Sequence, residues 1–181
     1  MPKRWINIAV TLLAFAIVTA ACGKPQLPEN HTAGAAGRSV PELAEQPENI
    51  KREAIVKTYF GNAQGDRLVE RTAKISYSGR EIYLAALNAL KTSPEEELVP
   101  LFQGVTFLSA ELADDTLTVD LSLDENGRLG ASGEQLALKA LQMTLFQFDE
   151  INRIEILVEG ERTDSLMGHV DLPHPITRSS M

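Results

Sequence analysis

From about Glu53 to Arg178 the hydrophobic positions recur with two periods, near 2 and near 3.6, and the changes of period predict the order of elements. Ile55-Val56-Lys57-Thr58-Tyr59-Phe60 is β-branched and aromatic and predicts a strand, ended by Gly61-Asn62 and a Gly65-Asp66 turn. Leu68 to Tyr77 is mixed and predicts a short edge strand. Ser78 with Glu81 fits a capping box, and Tyr83, Ala86, Leu87 and Leu90 follow at helical spacing, so a helix is predicted over Gly79 to Lys91. Ser93-Pro94-Glu95-Glu96 repeats the cap signature with proline at the first helical position, but Pro100 limits that helix to a turn or two.

The clearest hairpin follows. Leu108, Ala110 and Leu112 alternate with polar neighbours, Asp114-Asp115 interrupts, and Leu117, Val119 and Leu121 resume the alternation, which predicts one buried and one wet face. Asp-Asp is a weaker two-residue turn than Asn-Gly, which leaves a longer connection open. After a glycine-rich loop, Ser132 with Gln135 caps a second predicted helix. Its stripe is Leu138, Leu141, Leu145 and Phe148, flanked by Ala137, Ala140 and Thr144. Arg153 to Val158 then turns Ile154, Ile156 and Val158 inward, and Glu159-Gly160 offers a tight turn into Arg162 to Leu166. The order β-α-β-β-α-β predicts an α+β, two-layer module with two helices packed on a mainly antiparallel sheet.

The amino-terminal pattern is of another kind. Lys3 and Arg4 precede an apolar run from Ile8 to Val18 broken only by Thr11, and the small residues Thr19, Ala20 and Ala21 lead to Cys22. This is the pattern of a secretory signal peptide, too short to span a bilayer comfortably when a transmembrane helix needs about 20 apolar residues. Val18-Thr19-Ala20-Ala21-Cys22-Gly23 resembles a bacterial lipobox, with Thr19 where Leu is commoner. The resemblance implies diacylglyceryl transfer to the Cys22 sulfur and cleavage before it. Gly23 to Asn49 carries four of the nine prolines and no sustained hydrophobic period, so it reads as a flexible linker of 27 residues. Fully extended, it reaches at most roughly 90 Å. The expected organisation is a signal peptide over 1–21, the lipidated cysteine and linker over 22–50, and one folded domain over 53–178.

Charge narrows the partners. The chain of 181 residues holds 17 Lys and Arg against 25 Asp and Glu, a net charge of −8. Without Lys3 and Arg4 the mature chain keeps 15 basic residues against 25 acidic, a net charge of −10. Such a surface stands off from anionic lipid, and with no long basic run nucleic acid is a poor partner. Cys22 is the only cysteine, so no intramolecular disulfide forms and no cysteine-based zinc site of the usual kind can be built.

Several segments in order carry a family resemblance. They are Tyr59-Phe60 with Gln64-Gly65-Asp66, Ala85-Ala86-Leu87 leading into Lys91-Thr92-Ser93-Pro94, Gly104 to Leu108, and Gly168-His169-Val170-Asp171-Leu172 with Pro175-Ile176. Together they resemble the GerMN domain, the sporulation and spore germination domain of Gram-positive bacteria, over roughly Ile55 to Arg178. The resemblance implies a small α/β module of exported proteins and lipoproteins, similar to the ring-building domains of secretion and sporulation assemblies, with no catalytic activity attached. The chain has room for one copy, whereas well known sporulation members carry two.

Candidate chemistry is sparse. Of His31, His169 and His174, the last two bracket Asp171, but His169, Asp171 and His174 could meet on a metal only if the loop folded back, and Pro173 and Pro175 hold it extended. The expected role of the segment is structural. Gly168 turns the chain, His169 bonds main chain, Leu166 and Val170 seal the sheet, and the prolines stop further strand pairing. Glu95-Glu96-Glu97 is better explained by compensation of a helix dipole than by acid and base work. Gly127, Gly130 and Gly133 precede a helix whose amino terminus could meet an anion, but Glu134 just inside it argues against one. No Gly-x-Ser-x-Gly, Walker loop or His-Glu-x-x-His occurs, so no catalytic residue, metal or cofactor is assigned.

The reading is a non-enzymatic module tethered to the membrane through Cys22. It docks envelope or spore-assembly proteins through exposed sheet edges, with homo-oligomerisation left open. The alternative is a lipoprotein that binds a small ligand or peptidoglycan fragment. Trp5, the only tryptophan, leaves with the signal peptide, and Tyr59, Tyr77 and Tyr83 are the only tyrosines available to line such a pocket.

Overall fold

The computed structural model describes residues 50–180, all within the compact unit Glu45–Met181. The predicted signal peptide, Cys22, the linker and His31 lie outside the described residues. Six strands and two α-helices follow the expected β-α-β-β-α-β order, with the expected edge strand in second place and a two-residue strand added at the end. They are β1 (Arg52–Gly61), β2 (Leu68–Tyr77), α1 (Ile82–Asn88), β3 (Val105–Ala113), β4 (Thr116–Leu123), α2 (Ala131–Leu145), β5 (Arg153–Val158) and β6 (Ile176–Thr177).

The strands divide between two sheets. The antiparallel pair β1-β2 forms a ribbon, and β3-β4-β5-β6 forms a mixed sheet in which only β4 and β5 run parallel, joined through α2. The chain is therefore α+β with mainly antiparallel pairing. The segment expected as a short edge strand is the full-length β2, ten residues paired one for one with β1 from Arg52 against Tyr77 to Gly61 against Leu68. Its pattern hides this because Ile75 is its only buried residue.

One core cluster joins the buried residues of α2, Leu138, Leu141 and Leu145, to Leu117, Val119 and Leu121 of β4 and Ile154 and Ile156 of β5. Each such side chain taken from water contributes roughly 1.5 to 3 kcal/mol. Phe148 lies past the helix end and packs edge-on against Tyr83, 5.1 Å between centroids, tying α1 to the chain leaving α2. Arg178 closes the domain at the other end. Its guanidinium donates to the carbonyls of Phe146 at 2.6 Å, Phe148 at 2.7 Å and Ile151, and lies over the Phe146 ring.

Four local expectations are corrected, and the length of one turn left open is settled. Leu108, expected inward, is 49% exposed, because a bulge between Phe107 and Ser109 leaves it without a partner. Val105 and Phe107 are buried before the bulge, and Ala110 and Leu112 resume the inward face after it. The hairpin turn is two residues long, and Asp114 adopts positive φ there, a conformation that Asp tolerates. Neither Ser78 nor Ser132 caps a helix: α1 starts at Ile82 after a turn through Gly79, φ 55°, and α2 starts after Gly130 with no side-chain cap. Ser93 to Glu96 forms a turn rather than a helix, in which Ser93 Oγ accepts from the Glu95 N–H and donates to its carbonyl. Glu95 neutralises no dipole. It makes a two-pronged pair with Arg71 on β2, 2.7 Å on each prong.

Candidate functional site

The Gly168–Pro175 segment is organised by two carboxylates that the chain supplies from distant elements. Glu134, in the first turn of α2, is fully buried and accepts four hydrogen bonds. They come from Ser165 Oγ (2.8 Å), Met167 N–H (2.8 Å), His169 N–H (2.9 Å) and His169 Nδ1 (3.0 Å). Burial alone pushes a carboxyl pKa up. Here the Met167 amide, the Ser165 hydroxyl and the His169 donors outweigh it and hold Glu134 below the usual carboxylate range. Gly168, φ 99°, makes the turn that brings both amides round to the carboxylate.

The second carboxylate is Glu155 on β5, also buried. His174 Nδ1 lies 2.5 Å from its Oε1 and the Arg162 guanidinium bonds both its oxygens, while His174 Nε2 lies 2.8 Å from the Thr163 carbonyl. The Thr163 carbonyl, and then Glu155, raise the His174 pKa above the ordinary imidazole value against the opposing effect of burial.

The expected closure through main-chain bonding of the His169 ring is thus corrected. The ring bonds a buried carboxylate, and the main-chain amides of His169 itself and of Met167 do the same. His169 and His174 face different carboxylates, and Asp171 pairs by main chain with Ser165, so the loop does not gather His169, Asp171 and His174 about one point. Among the described residues no cluster of three His, Cys, Asp or Glu side chains could hold a metal ion. The prolines do not end pairing either: Ile176–Thr177 pairs with β5 directly after a cis His174-Pro175 bond. Leu166 is buried and Val170 packs on the core, as expected. Gly127 lies against Gly104 so closely that neither has room for a Cβ.

A groove of about 640 Å³ lies where the end of the β1-β2 ribbon meets β3, lined by Arg52, Tyr77, Arg80, Ile82, Tyr83 and residues 110–112. Burial, and then the hydrogen bond its hydroxyl donates to Glu150 at 2.7 Å, drive the Tyr83 pKa up, and the bond fixes the ring as a wall. No sequence signal marked this groove, because its residues come from four segments. Among the described residues no helix is long and apolar enough to cross a membrane.

These features define a small α+β module whose buried polar chemistry secures a loop, with open strand edges around a groove. The model of the Germane family, sporulation and spore germination, matches residues 57–164, more than half of the chain, and the chain belongs to that family. Among solved structures, the first GerMN domain of the sporulation protein GerM from Bacillus subtilis is similar at 16% identity and a TM-score of 0.58. The match covers 70% of this chain and 98% of that one. A candidate lipoprotein from Clostridium perfringens is similar at 24% identity and a TM-score of 0.50, over 71% of this chain and 89% of that one. At these identities the likeness establishes the fold. No curated protein matches the chain.

Proposed function

We propose that this protein is a lipid-anchored extracytoplasmic module that acts without catalysis, by protein contacts in the cell or spore envelope. Its setting is sporulation, germination or envelope assembly. The observation that carries the reading is the order along the chain: a lipobox-like Ala20-Ala21-Cys22, a proline-rich linker, then a Germane-family domain. Each buried methylene contributes about 0.8 kcal/mol to membrane binding, so two or three acyl chains on Cys22 hold durably where one would not. The linker gives the domain reach from the bilayer, and the net negative charge keeps it off anionic headgroups. The candidate lipoprotein among the structural neighbours fits the same setting.

Fractionation of cells carrying Cys22→Ala tests the anchor. The variant is expected to leave the membrane or to accumulate as uncut precursor. Processed protein that still sediments with membranes would contradict it.

A further inference from the structure

The groove at the outer edge of β3 is built to take a strand. β3 is an edge strand of its sheet. Ala113 and Thr116 flank a two-residue turn and so form a doubly hydrogen-bonded pair. The alternation along an antiparallel ladder then turns the main-chain N–H and C=O of Leu112 and Ala110 away from β4, into the groove that both residues line. Among the described residues no main-chain bond from another segment meets them there.

Parts of the β1 and β2 edges are occupied by side chains or loop main chain. On β1, the Gln147 side chain occupies both main-chain groups of Lys57, and Val99 occupies both of Gly61. On β2, Arg71, held by Glu95, donates to the Glu70 carbonyl. On β3 the bulge at Leu108 disturbs the edge only upstream of Ala110, leaving the groove stretch regular.

Charge says what kind of strand fits. Arg71, Arg153, Arg162 and Arg178 are engaged by carboxylates or carbonyls. Arg52 and Arg80, which line the groove, make no ion pair or side-chain hydrogen bond among the described residues. Arg67 and Arg128 are likewise without an ion pair among the described residues but do not line the groove, so Arg52 and Arg80 are the unengaged guanidiniums set beside its open main-chain groups. Glu111 also lines the groove and disfavours an acidic residue directly beside it.

We propose that the outer edge of β3 at Ala110–Leu112 binds an extended segment of a partner protein whose acidic side chains pair with Arg52 and Arg80. The proposal rests on the reading of this protein as an envelope docking module and adds where the partner sits and what it carries. Main-chain pairing supplies affinity and the two arginines supply selectivity.

The test is fluorescence anisotropy of the full chain in detergent, titrated with a labelled peptide of four Thr-Glu repeats and with its Thr-Lys counterpart. The acidic peptide should bind, with affinity falling as salt is raised. Arg52→Glu with Arg80→Glu should weaken it at least tenfold, with an unchanged melting temperature as the control for folding. A separate variant, Ala110→Pro, removes one edge N–H and should weaken binding whatever the charge. Equal binding of the lysine peptide, no binding of the acidic one, or indifference to the arginine pair would overturn the proposal. So would binding that appears only after residues 23–49 are deleted, which would assign the groove to the chain's own linker with Glu42, Glu45 and Glu48. Loss of this site leaves membrane attachment through Cys22 untouched, so its failure is separable from failure of the docking-module reading.

Discussion

The side-chain amide of Gln147 stands in for a residue of a neighbouring strand: its Oε1 accepts from the Lys57 N–H at 2.7 Å and its Nε2 donates to the Lys57 carbonyl at 2.9 Å. The same Nε2 donates to the Thr144 carbonyl at 2.6 Å, which fixes the amide to the end of α2. Gln147→Ala frees both Lys57 groups. A loss of about 1 to 2 kcal/mol is expected from denaturant titration, together with greater self-association on concentration, read by light scattering. No change in either would mean that the amide does not guard the edge.

Glu134 is expected to matter more than His169. Glu134→Ala strips the acceptor from four donors, two of them main-chain amides, and should cost about 3 kcal/mol or more. His169→Ala removes one ring contact and leaves the His169 N–H bonded, so about 1 kcal/mol is expected. Thermal unfolding should show that ranking. Zinc or a chelator should leave the wild-type melting temperature where it is, and a metal-dependent rise abolished by His169→Ala and His174→Ala would revive a metal site.

The two anchoring pairs predict opposite pH responses. The His174 pKa is raised in the folded state, so its contribution is fully present below about pH 6.5, the unfolded value, and is lost as pH rises through the folded value. Glu155 favours the charged ring, and Arg162 beside it opposes that charge. Glu134 is lowered, so its contribution is present above about pH 4.3 and is lost as pH falls through the folded value. Melting temperatures measured from pH 3 to 9 should fall at both ends. In His174→Gln the decline as pH rises above about 6.5 should shrink, and an unaltered decline would assign it to another group.

How much of this was legible follows the physics of the signals. The stripe Leu138-Leu141-Leu145 and the alternation Leu117-Val119-Leu121 were readable because burial imposes a period on neighbours in sequence. The bulge at Leu108 adds one residue and reverses the face upstream, which alternation cannot announce. Glu155, polar between Ile154 and Ile156, looks outward in sequence, yet Arg162 and His174 cover it from a later loop. Glu134 looks like an acid placed for its helix dipole, and its donors lie 31 to 35 residues away. Long-range polar pairs leave no periodic trace, and that is why the loop anchors and the groove emerged only with the fold.

The domain is expected to fold without its linker. Every core residue described lies beyond Ile50, so deleting residues 23–49 should leave the unfolding midpoint unchanged within error. A large loss of stability would show that the linker packs on the domain.

A tethered domain that works by contact with another envelope protein must touch that protein in the cell. Crosslinking of the full chain in its native membrane, followed by pull-down and mass spectrometry, tests it most directly. A specific envelope protein is expected as the main adduct, joined to peptides from residues 50–180. Retention of glycan or muropeptide fragments alone, with no protein adduct on that domain, would contradict it and support the ligand-binding lipoprotein instead.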